Sequence, residues 1–268
     1  MPEGHTIHRL ASRHRKLFAG KPVRVSSPQG RFEAGAKALD GLMFTGALAH
    51  GKHLLHRYEG DRTVHIHLGL YGKVTDGDGA PPEPFGEIRL RMSNDAHWLD
   101  LRGPTACELL DPPGVEALLA RLGPDPLKRG ADSIAAFAKI ARSSRPIVAL
   151  LMDQSIVAGA GLIFATEALY RAGIDPTTAG RDMPADAWLP LWTDLRALMA
   201  AAVIAGRIDT VREEHTPEAM GREPRVDRHG GEVYVYRRTG QPCLVCGTPV
   251  HQDALGGRNL YWCPTCQS

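Results

Sequence analysis

Four cysteines near the end of the chain constrain its fold more than any other feature of the sequence. Cys243 and Cys246 form one Cys-x2-Cys pair, and Cys263 and Cys266 form a second pair after sixteen intervening residues. This spacing is typical of a zinc site, and four thiolates leave no coordination position open for water. We therefore predict one structural zinc per chain. Two disulfides are the alternative, which the lack of a visible export signal disfavours.

The chain before these cysteines divides into a strand-rich part and a helical part. A helix is predicted over residues 4–19, where apolar side chains recur at helical spacing before a Gly and a Pro. Short β-branched or alternating stretches then predict strands, and a Gly- and Pro-rich stretch over 76–84 predicts a hairpin loop. The predicted strands cover residues 23–26, 42–58, 63–74, 88–92 and 97–101. A β-sandwich or barrel fits this pattern best.

From about residue 113 the periodicity becomes helical. The predicted helices cover residues 115–122, 133–141, 147–152, 162–171 and 185–205. A polar connection over 207–230 and a strand over 232–238 then lead to the cysteines. The predicted fold class is α+β. We assign an N-terminal β-sandwich domain to 1–127, a helical domain to 128–238 and a zinc-finger hairpin to 239–268.

Charge and hydropathy exclude several classes of protein. Lys and Arg number 32 against 30 for Asp and Glu, so any contact with a polyanion requires local basic patches. No charge-free apolar run approaches the ~20 residues that span a bilayer. The start of the chain has an acidic residue where a signal peptide needs basic ones. We expect a cytoplasmic protein with no membrane partner.

The segment between the two cysteine pairs carries an arginine at its tip. Gly256 and Gly257 precede Arg258, and Trp262 lies next to the third cysteine. An arginine on a metal-stapled finger is well placed to reach a phosphate. A solvated loop arginine is the alternative.

Four motifs together resemble one family of DNA repair enzymes. They are the Pro-Glu-Gly start at residues 2–4, Gly-Lys-His-Leu-Leu at 51–55, Leu-Met-Asp-Gln at 151–154 followed by Gly-Ala-Gly-Leu-Ile at 159–163, and the finger from 257 to 267. Their order and spacing are similar to those of the formamidopyrimidine-DNA glycosylase and endonuclease VIII family. The resemblance implies a helix-two-turn-helix in the helical domain. It also implies a bifunctional glycosylase and apurinic/apyrimidinic (AP) lyase that binds damaged double-stranded DNA as a monomer and is associated with the nucleoid if the chain is prokaryotic.

The resemblance implies four catalytic residues. If Met1 is removed, Pro2 becomes an α-amine, a class that titrates near ~7.7–8.0 and is nucleophilic at neutral pH. Glu3 would protonate the sugar ring oxygen, and Lys52 would anchor the phosphate beside the lesion. Arg258 would assist a second elimination. Without the resemblance, Glu3 is an ordinary acid at a helix start and Lys52 an exposed strand lysine.

The resemblance also implies DNA-binding residues. Leu70 and Tyr71 would fill the gap left by a flipped nucleotide, and Arg121 would contact DNA. Gly161 and Leu162 open the helix that would hold a phosphate, together with Arg258 on the finger. The family usually has Asn at position 162, where this chain has Leu. Its endonuclease VIII branch has Gln at position 69, where this chain has Gly. We expect Leu162 to weaken phosphate binding and Gly69 to reduce discrimination of the opposite base.

Three features favour the endonuclease VIII branch: His5-Thr6, the Leu-Tyr-Gly run at 70–72, and Trp262. We predict removal of oxidised pyrimidines through a Schiff base on the N-terminal proline, with strand cleavage by β,δ-elimination. One alternative is an oxidised-purine glycosylase of the same family. Another is a catalytically weak homologue that only binds damaged DNA. A zinc-ribbon adaptor would explain the cysteines but leave Pro2, Glu3 and Lys52 unexplained.

Overall fold

The computed structural model describes residues 2–227 and 231–268, so Met1 lies outside the described residues. The chain forms two compact units, Met1–Arg121 and Leu122–Ser268, called here the N-terminal and C-terminal units. Strands dominate the first unit and helices the second, which confirms the predicted α+β class. The three assigned domain boundaries stay a prediction.

The N-terminal unit is a β-sandwich that opens with a helix. One sheet has the strand order β1-β3-β4-β5-β9 and the other β2-β7-β8-β6, with antiparallel pairing throughout these orders. The elements are α1 (Gly4–Phe18), β1 (Lys21–Pro22), β2 (Arg24–Ser26), α2 (Glu33–Leu39), β3 (Met43–His50), β4 (His53–Tyr58), β5 (Arg62–His67), β6 (Lys73–Asp78), β7 (Ile88–Ser93), β8 (His97–Arg102), β9 (Ala106–Leu110) and α3 (Pro112–Ala120).

The core of this unit contains side chains from both sheets and from α1. Ile7 and Phe18 lie on the buried face of α1, as the helical spacing predicts. They belong to the same buried cluster as Leu54 of β4 and Leu90 of β7. Burial of apolar surface from three layers holds α1 and the two sheets together.

Two histidines interrupt this apolar core. His14 of α1 and His56 of β4 are fully buried, and His14 Nδ1 lies 2.8 Å from His56 Nε2. Burial lowers the pKa of His14 to about 3 and that of His56 well below its usual value. Both rings are therefore neutral in the folded chain at neutral pH, and one donates a hydrogen bond to the other.

Several predicted boundaries in this unit are wrong. Residues 42–58 are two strands, β3 and β4, joined by the two-residue turn of Gly51 and Lys52, so Lys52 lies on a turn and not on a strand. Residues 63–74 likewise cover parts of β5 and β6, and the hairpin loop begins only after Asp78. The sequence analysis did not predict α2 or β9. The alternation of apolar and polar residues continues through a two-residue turn, so periodicity alone does not reveal where one strand ends and the next begins.

The C-terminal unit contains the predicted helices and ends in a two-stranded hairpin. Its elements are α4 (Ser133–Ile140), α5 (Ile147–Met152), α6 (Leu162–Arg171), α7 (Ala185–Ala205), α8 (Pro217–Met220), β10 (His251–Leu255) and β11 (Arg258–Trp262). β10 and β11 pair in antiparallel register, with Leu255 opposite Arg258. Gly256 and Gly257 both have positive φ, as a two-residue hairpin turn of this type requires.

The predicted strand over residues 232–238 is wrong, because backbone N–H groups of this segment donate to a buried carboxylate and not to a neighbouring strand. Glu167 of α6 is fully buried and accepts hydrogen bonds from the backbone N–H groups of Tyr234, Val235 and Tyr236 at 2.7–2.9 Å. Thr210 Oγ1 donates a fourth bond to it. These donors are consumed by one side chain and cannot join a β-ladder.

Helix α7 is long and apolar enough to cross a membrane by length and composition alone. Its Trp188 ring stacks on Phe137 of α4, and Trp188 Nε1 donates to Ser133 O at 2.8 Å. Leu191 and Leu195 of the same helix are buried. These contacts are those of a core helix in a helical unit.

Candidate functional site

The four cysteines of the C-terminal unit converge on one point. Their sulfur atoms all lie within 4.8 Å of one another. Cys243 and Cys266 sulfurs are 3.8 Å apart, and Cys246 and Cys263 sulfurs 3.4 Å apart. Zinc–sulfur bonds of ~2.3 Å in a tetrahedron put the sulfurs ~3.8 Å apart. The cluster fits one structural zinc, which confirms the predicted cofactor.

Two side chains attach this cluster to the segment around α6. Tyr170, near the end of α6, lies with its hydroxyl oxygen 3.0 Å from Cys243 Sγ. Gln267 accepts from the backbone N–H of Cys263 and donates to Ile174 O just after α6. Hydrogen bonds that neighbouring residues make to metal ligands hold those ligands in their binding orientation. The zinc cluster is therefore fixed to the helix that the sequence analysis assigns to phosphate binding.

Arg258 is the first residue of β11, directly after the glycine turn, and its side chain is exposed. Its Nη1 lies 3.4 Å from Met152 Sδ at the end of α5. The finger therefore presents this guanidinium beside the end of the first helix of the pair α5 and α6. Its backbone position matches the predicted tip of the finger.

The loop between α5 and α6 is organised by Gln154. Its Nε2 donates to the carbonyl oxygens of Met152 and Ala160, and its Oε1 accepts from Gly159 N. The loop leads to Gly161, the N-cap of α6, where backbone N–H groups point out of a helix start. The sequence did not predict that Gln154 links Met152 to Gly159 and Ala160 across this loop.

Leu162, the first residue of α6, is only 9% exposed. An aliphatic side chain in this position packs and offers no hydrogen-bond donor. Any contact of this helix start with an anion would therefore involve backbone groups and not the side chain of Leu162.

The N-terminal residues lie at the start of α1. Glu3 is the N-cap of α1 and is fully buried, while Pro2 is partly exposed. The neighbouring His5 is also buried, which lowers its pKa to about 4. A buried carboxyl group and a partly exposed proline therefore lie next to each other at the start of α1.

Lys52 and Arg121 flank a group of histidines in the N-terminal unit. Lys52 is half-buried. Burial lowers the pKa of His67, and the charges of His65 and Lys52 lower it further. Arg121, the C-cap of α3, is exposed and contributes to lowering the pKa of His53. Two of the predicted site cations are thus close to the same pair of strands, β4 and β5.

Leu70 and Tyr71 lie in the turn that joins β5 to β6 and are 62% and 87% exposed. Gly72 N donates to Leu68 O at 2.9 Å and closes the turn. Two apolar side chains held in solvent by a closed turn are available to a partner. Neither side chain packs into the core of the N-terminal unit.

The glycine at position 69 has a local cause. Gly69 has φ +64°, and a Cβ atom there would overlap the Thr105 hydroxyl. Any side chain at this position, glutamine included, would strain the backbone and displace Thr105.

Sequence reasoning missed a chain of side chains beside Lys52. Glu108, His65 and His53 come from β9, β5 and β4 and are linked by hydrogen bonds of 2.7 and 2.8 Å. The alternation of strands β4 and β5 could have placed the two histidines on one face, but the strand register, which puts His53 opposite His67 and makes His65 its diagonal neighbour, was not visible in the sequence.

Three family models match the chain in succession. The formamidopyrimidine-DNA glycosylase N-terminal domain matches residues 1–107, and the formamidopyrimidine-DNA glycosylase H2TH domain matches residues 122–213. A zinc finger found in FPG and IleRS matches residues 240–268. Together the matches cover most of the chain and follow the order of its elements.

Full-length relatives agree with these matches. The chain is 48% identical over 275 residues to a protein of Mycobacterium tuberculosis named Endonuclease 8 1, with all of both chains covered. It is 32% identical to the formamidopyrimidine-DNA glycosylase of Thermus thermophilus, covering 100% of this chain and 98% of the relative. The crystal structure of the MutM (Fpg) protein from Thermus thermophilus superposes with a TM-score of 0.78 at 29% identity, covering 99% and 98% of the two chains. A Lactococcus lactis Fpg complex with abasic-site DNA has the same fold, with a TM-score of 0.81 at 23% identity and 99% of each chain covered.

Proposed function

Since this chain belongs to the formamidopyrimidine-DNA glycosylase and endonuclease 8 family, whose members are DNA glycosylases with AP lyase activity, we propose that it removes oxidised pyrimidines from duplex DNA. Its nucleophile is the amine of Pro2, exposed by removal of Met1. The strand is then cut by β,δ-elimination. The enzyme acts as a monomer on chromosomal DNA in the cytoplasm.

The lesion class rests on one comparison. The relative with 48% identity over the whole chain carries the name Endonuclease 8 1, whereas the relatives named formamidopyrimidine-DNA glycosylase are near 30% identical. The wedge of Leu70 and Tyr71 supports the same choice. A ring-saturated pyrimidine stacks poorly, so an apolar wedge extrudes it at lower cost than an intact base.

The first chemical step involves Pro2 and Glu3. The proline nitrogen attacks C1′, and the bond between C1′ and the base breaks; the base leaves with the electron pair of that bond and takes up the proton that the proline nitrogen loses. Glu3 donates a proton to the ring oxygen O4′ as the ring opens, which leaves an iminium between the proline nitrogen and C1′. The buried position of Glu3 at the N-cap of α1, directly after Pro2 in the chain, supports this role.

The eliminations then break the two phosphate ester bonds of the sugar. Loss of a C2′ proton expels the 3′ phosphate, and a second elimination expels the 5′ phosphate. Lys52 and Arg121 neutralise phosphates in this reaction, and Arg258 assists the second elimination. The finger that carries Arg258 depends on the zinc, whose four thiolates supply structure and no open coordination position.

DNA positioning is assigned to Leu70, Tyr71 and the start of α6. The exposed wedge fills the gap left by the extruded nucleotide. Backbone N–H groups at Gly161 and Leu162 hold a phosphate at the positive end of the helix dipole.

A lesion panel tests the substrate. Single-turnover excision is measured on matched duplexes with thymine glycol, dihydrouracil or 8-oxoguanine, each opposite its normal partner base. We expect faster release of the two pyrimidines, and faster release of 8-oxoguanine opposite cytosine would assign the chain to oxidised purines instead. Glu3→Gln is the control. It should bind the same duplexes but release no base, whereas a parent that binds without release would be a damage-binding module only.

A further inference from the structure

Three side chains of the N-terminal unit form a continuous hydrogen-bonded chain that the proposed function does not use. Glu108 Oε1 lies 2.7 Å from His65 Nδ1, and His65 Nε2 lies 2.8 Å from His53 Nδ1. The rings of His53 and His65 are stacked with centroids 5.0 Å apart. We call Glu108, His65 and His53 the relay. Its last member, His53, follows Lys52 directly in the chain.

Hydrogen-bond chemistry fixes the protonation pattern of the relay. An ionised carboxylate only accepts, so His65 Nδ1 carries a hydrogen and donates it to Glu108. In neutral His65, Nε2 is then an acceptor, and His53 Nδ1 must be the donor. His53 is left with its lone pair on Nε2. The relay therefore orients an imidazole with one basic nitrogen in a defined position.

The surroundings oppose a positive charge on His53 itself. Burial lowers the pKa of His53 to about 3, and His65, His67, His50 and Arg121 contribute further. Lys52 adds positive charge near His67. By contrast, the side chain of His65 is 5% exposed and lies against the carboxylate of Glu108. An added proton on His65 would lie beside the negative charge of Glu108, whereas an added proton on His53 would have no such counter-charge.

We propose that His53 is the general base of the first elimination and that His65 and Glu108 are its positioning residues. This inference rests on the proposed function, because the iminium at C1′ is what makes the neighbouring C2′ proton acidic enough for a histidine to remove. The site is favoured by the position of His53, one residue from the lysine assigned to the phosphate beside the lesion.

The proton balance follows the hydrogen bonds. The C2′–H bond breaks, its electrons form the double bond to C3′, and the C3′–O bond breaks with release of phosphate. His53 Nε2 takes up the C2′ proton while its Nδ1 proton moves to His65 Nε2. His53 remains neutral in its other tautomer, and the new positive charge resides on His65 beside Glu108. This route avoids a positive charge on His53, which burial, Arg121 and the neighbouring histidines oppose.

The test compares Glu108→Gln, His53→Gln and the double variant with the parent chain. Asp78→Asn is the matched control, because His97 Nδ1 lies 2.9 Å from Asp78 Oδ1 in a histidine–carboxylate pair on the other sheet. Single-turnover cleavage of abasic-site DNA is followed from acidic to alkaline pH. We expect each single variant to lose about tenfold or more in rate at neutral pH. Loss of the counter-charge in Glu108→Gln should also move the acidic limb of its profile to lower pH.

The double variant should lose no more than the worse single variant, because the relay acts as one unit. Two-bond ¹⁵N spectra of the free parent should show His65 and His53 each protonated at Nδ1, with both assignments lost or mixed in Glu108→Gln. Parent-like rates in the single variants, multiplicative losses, or protonation of His65 at Nε2 would overturn the relay. If the parent cleaves abasic DNA and is trapped by borohydride while the variants match it, only the relay is wrong. A parent that is never trapped would instead refute the proposed nucleophile.

Discussion

Acidification should destabilise the N-terminal unit through its buried histidine pair. His14 and His56 are fully buried, and burial holds the pKa of His14 at about 3 and that of His56 well below its usual value. In the unfolded chain both titrate near ~6.5. Below that pH the unfolded state binds protons that the folded state cannot, so the free energy of unfolding falls as pH falls toward the folded pKa values. Above it neither state binds them, and the contribution is constant.

The size of the effect follows from linkage. Between pH 7 and pH 5, one histidine that stays neutral when folded lowers the free energy of unfolding by about 2 kcal/mol, and the pair by about 4 kcal/mol. Urea unfolding at several pH values measures this loss, and hydrogen exchange of β4 amides locates it in the N-terminal unit.

The comparison is a variant with both His14→Leu and His56→Leu, which removes both titrating rings and keeps a side chain of similar size. Other buried histidines, such as His5 and His53, remain in both chains, so the difference between the two pH profiles isolates the pair. The parent should lose about 4 kcal/mol more than the variant over this range. Equal slopes would show that the pair is protonated in the folded state or exposed to water, and would refute the reasoning.

Three further substitutions test separate parts of the structure. Glu167→Gln should lower the free energy of unfolding by about 3 kcal/mol, because it weakens the charge-assisted hydrogen bonds from the backbone of Tyr234, Val235 and Tyr236. An unchanged thermal midpoint would contradict this. Tyr170→Phe should speed zinc loss to a colorimetric chelator, since it removes the hydroxyl 3.0 Å from Cys243 Sγ, and a parent-like release rate would exclude that role. Leu162→Asn should tighten damaged-DNA binding by about 1 kcal/mol in a titration, whereas weaker binding would show that packing of this side chain matters more.

Local patterns in the sequence predicted those features that depend only on neighbours along the chain. The spacing of the four cysteines was sufficient for the zinc site, because a Cys-x2-Cys pair defines half of a chelate by itself. The helix that opens the chain was also predicted, since its buried positions repeat at helical spacing.

Features that depend on distant partners were not predicted. The alternation over residues 232–238 is that of a strand, but Glu167 on α6 takes its backbone donors. The relay links β4, β5 and β9, and only the strand register shows that Glu108 is opposite His65. Gly69 differs from the expected glutamine because of φ +64° and Thr105, neither of which the sequence alone contains. Tertiary contacts decided each of these outcomes.

The central claim is that the amine of Pro2 is the nucleophile of a DNA lyase. Borohydride reduction in the presence of abasic-site DNA tests it most directly, with the mass of the purified chain first establishing that Met1 is absent. We expect a covalent complex whose digestion assigns the DNA to Pro2. We expect no complex from a matched sample that retains Met1, because the proline nitrogen is then an amide. Trapping by the Met1-retaining chain, or a DNA adduct on Lys52, would contradict the claim.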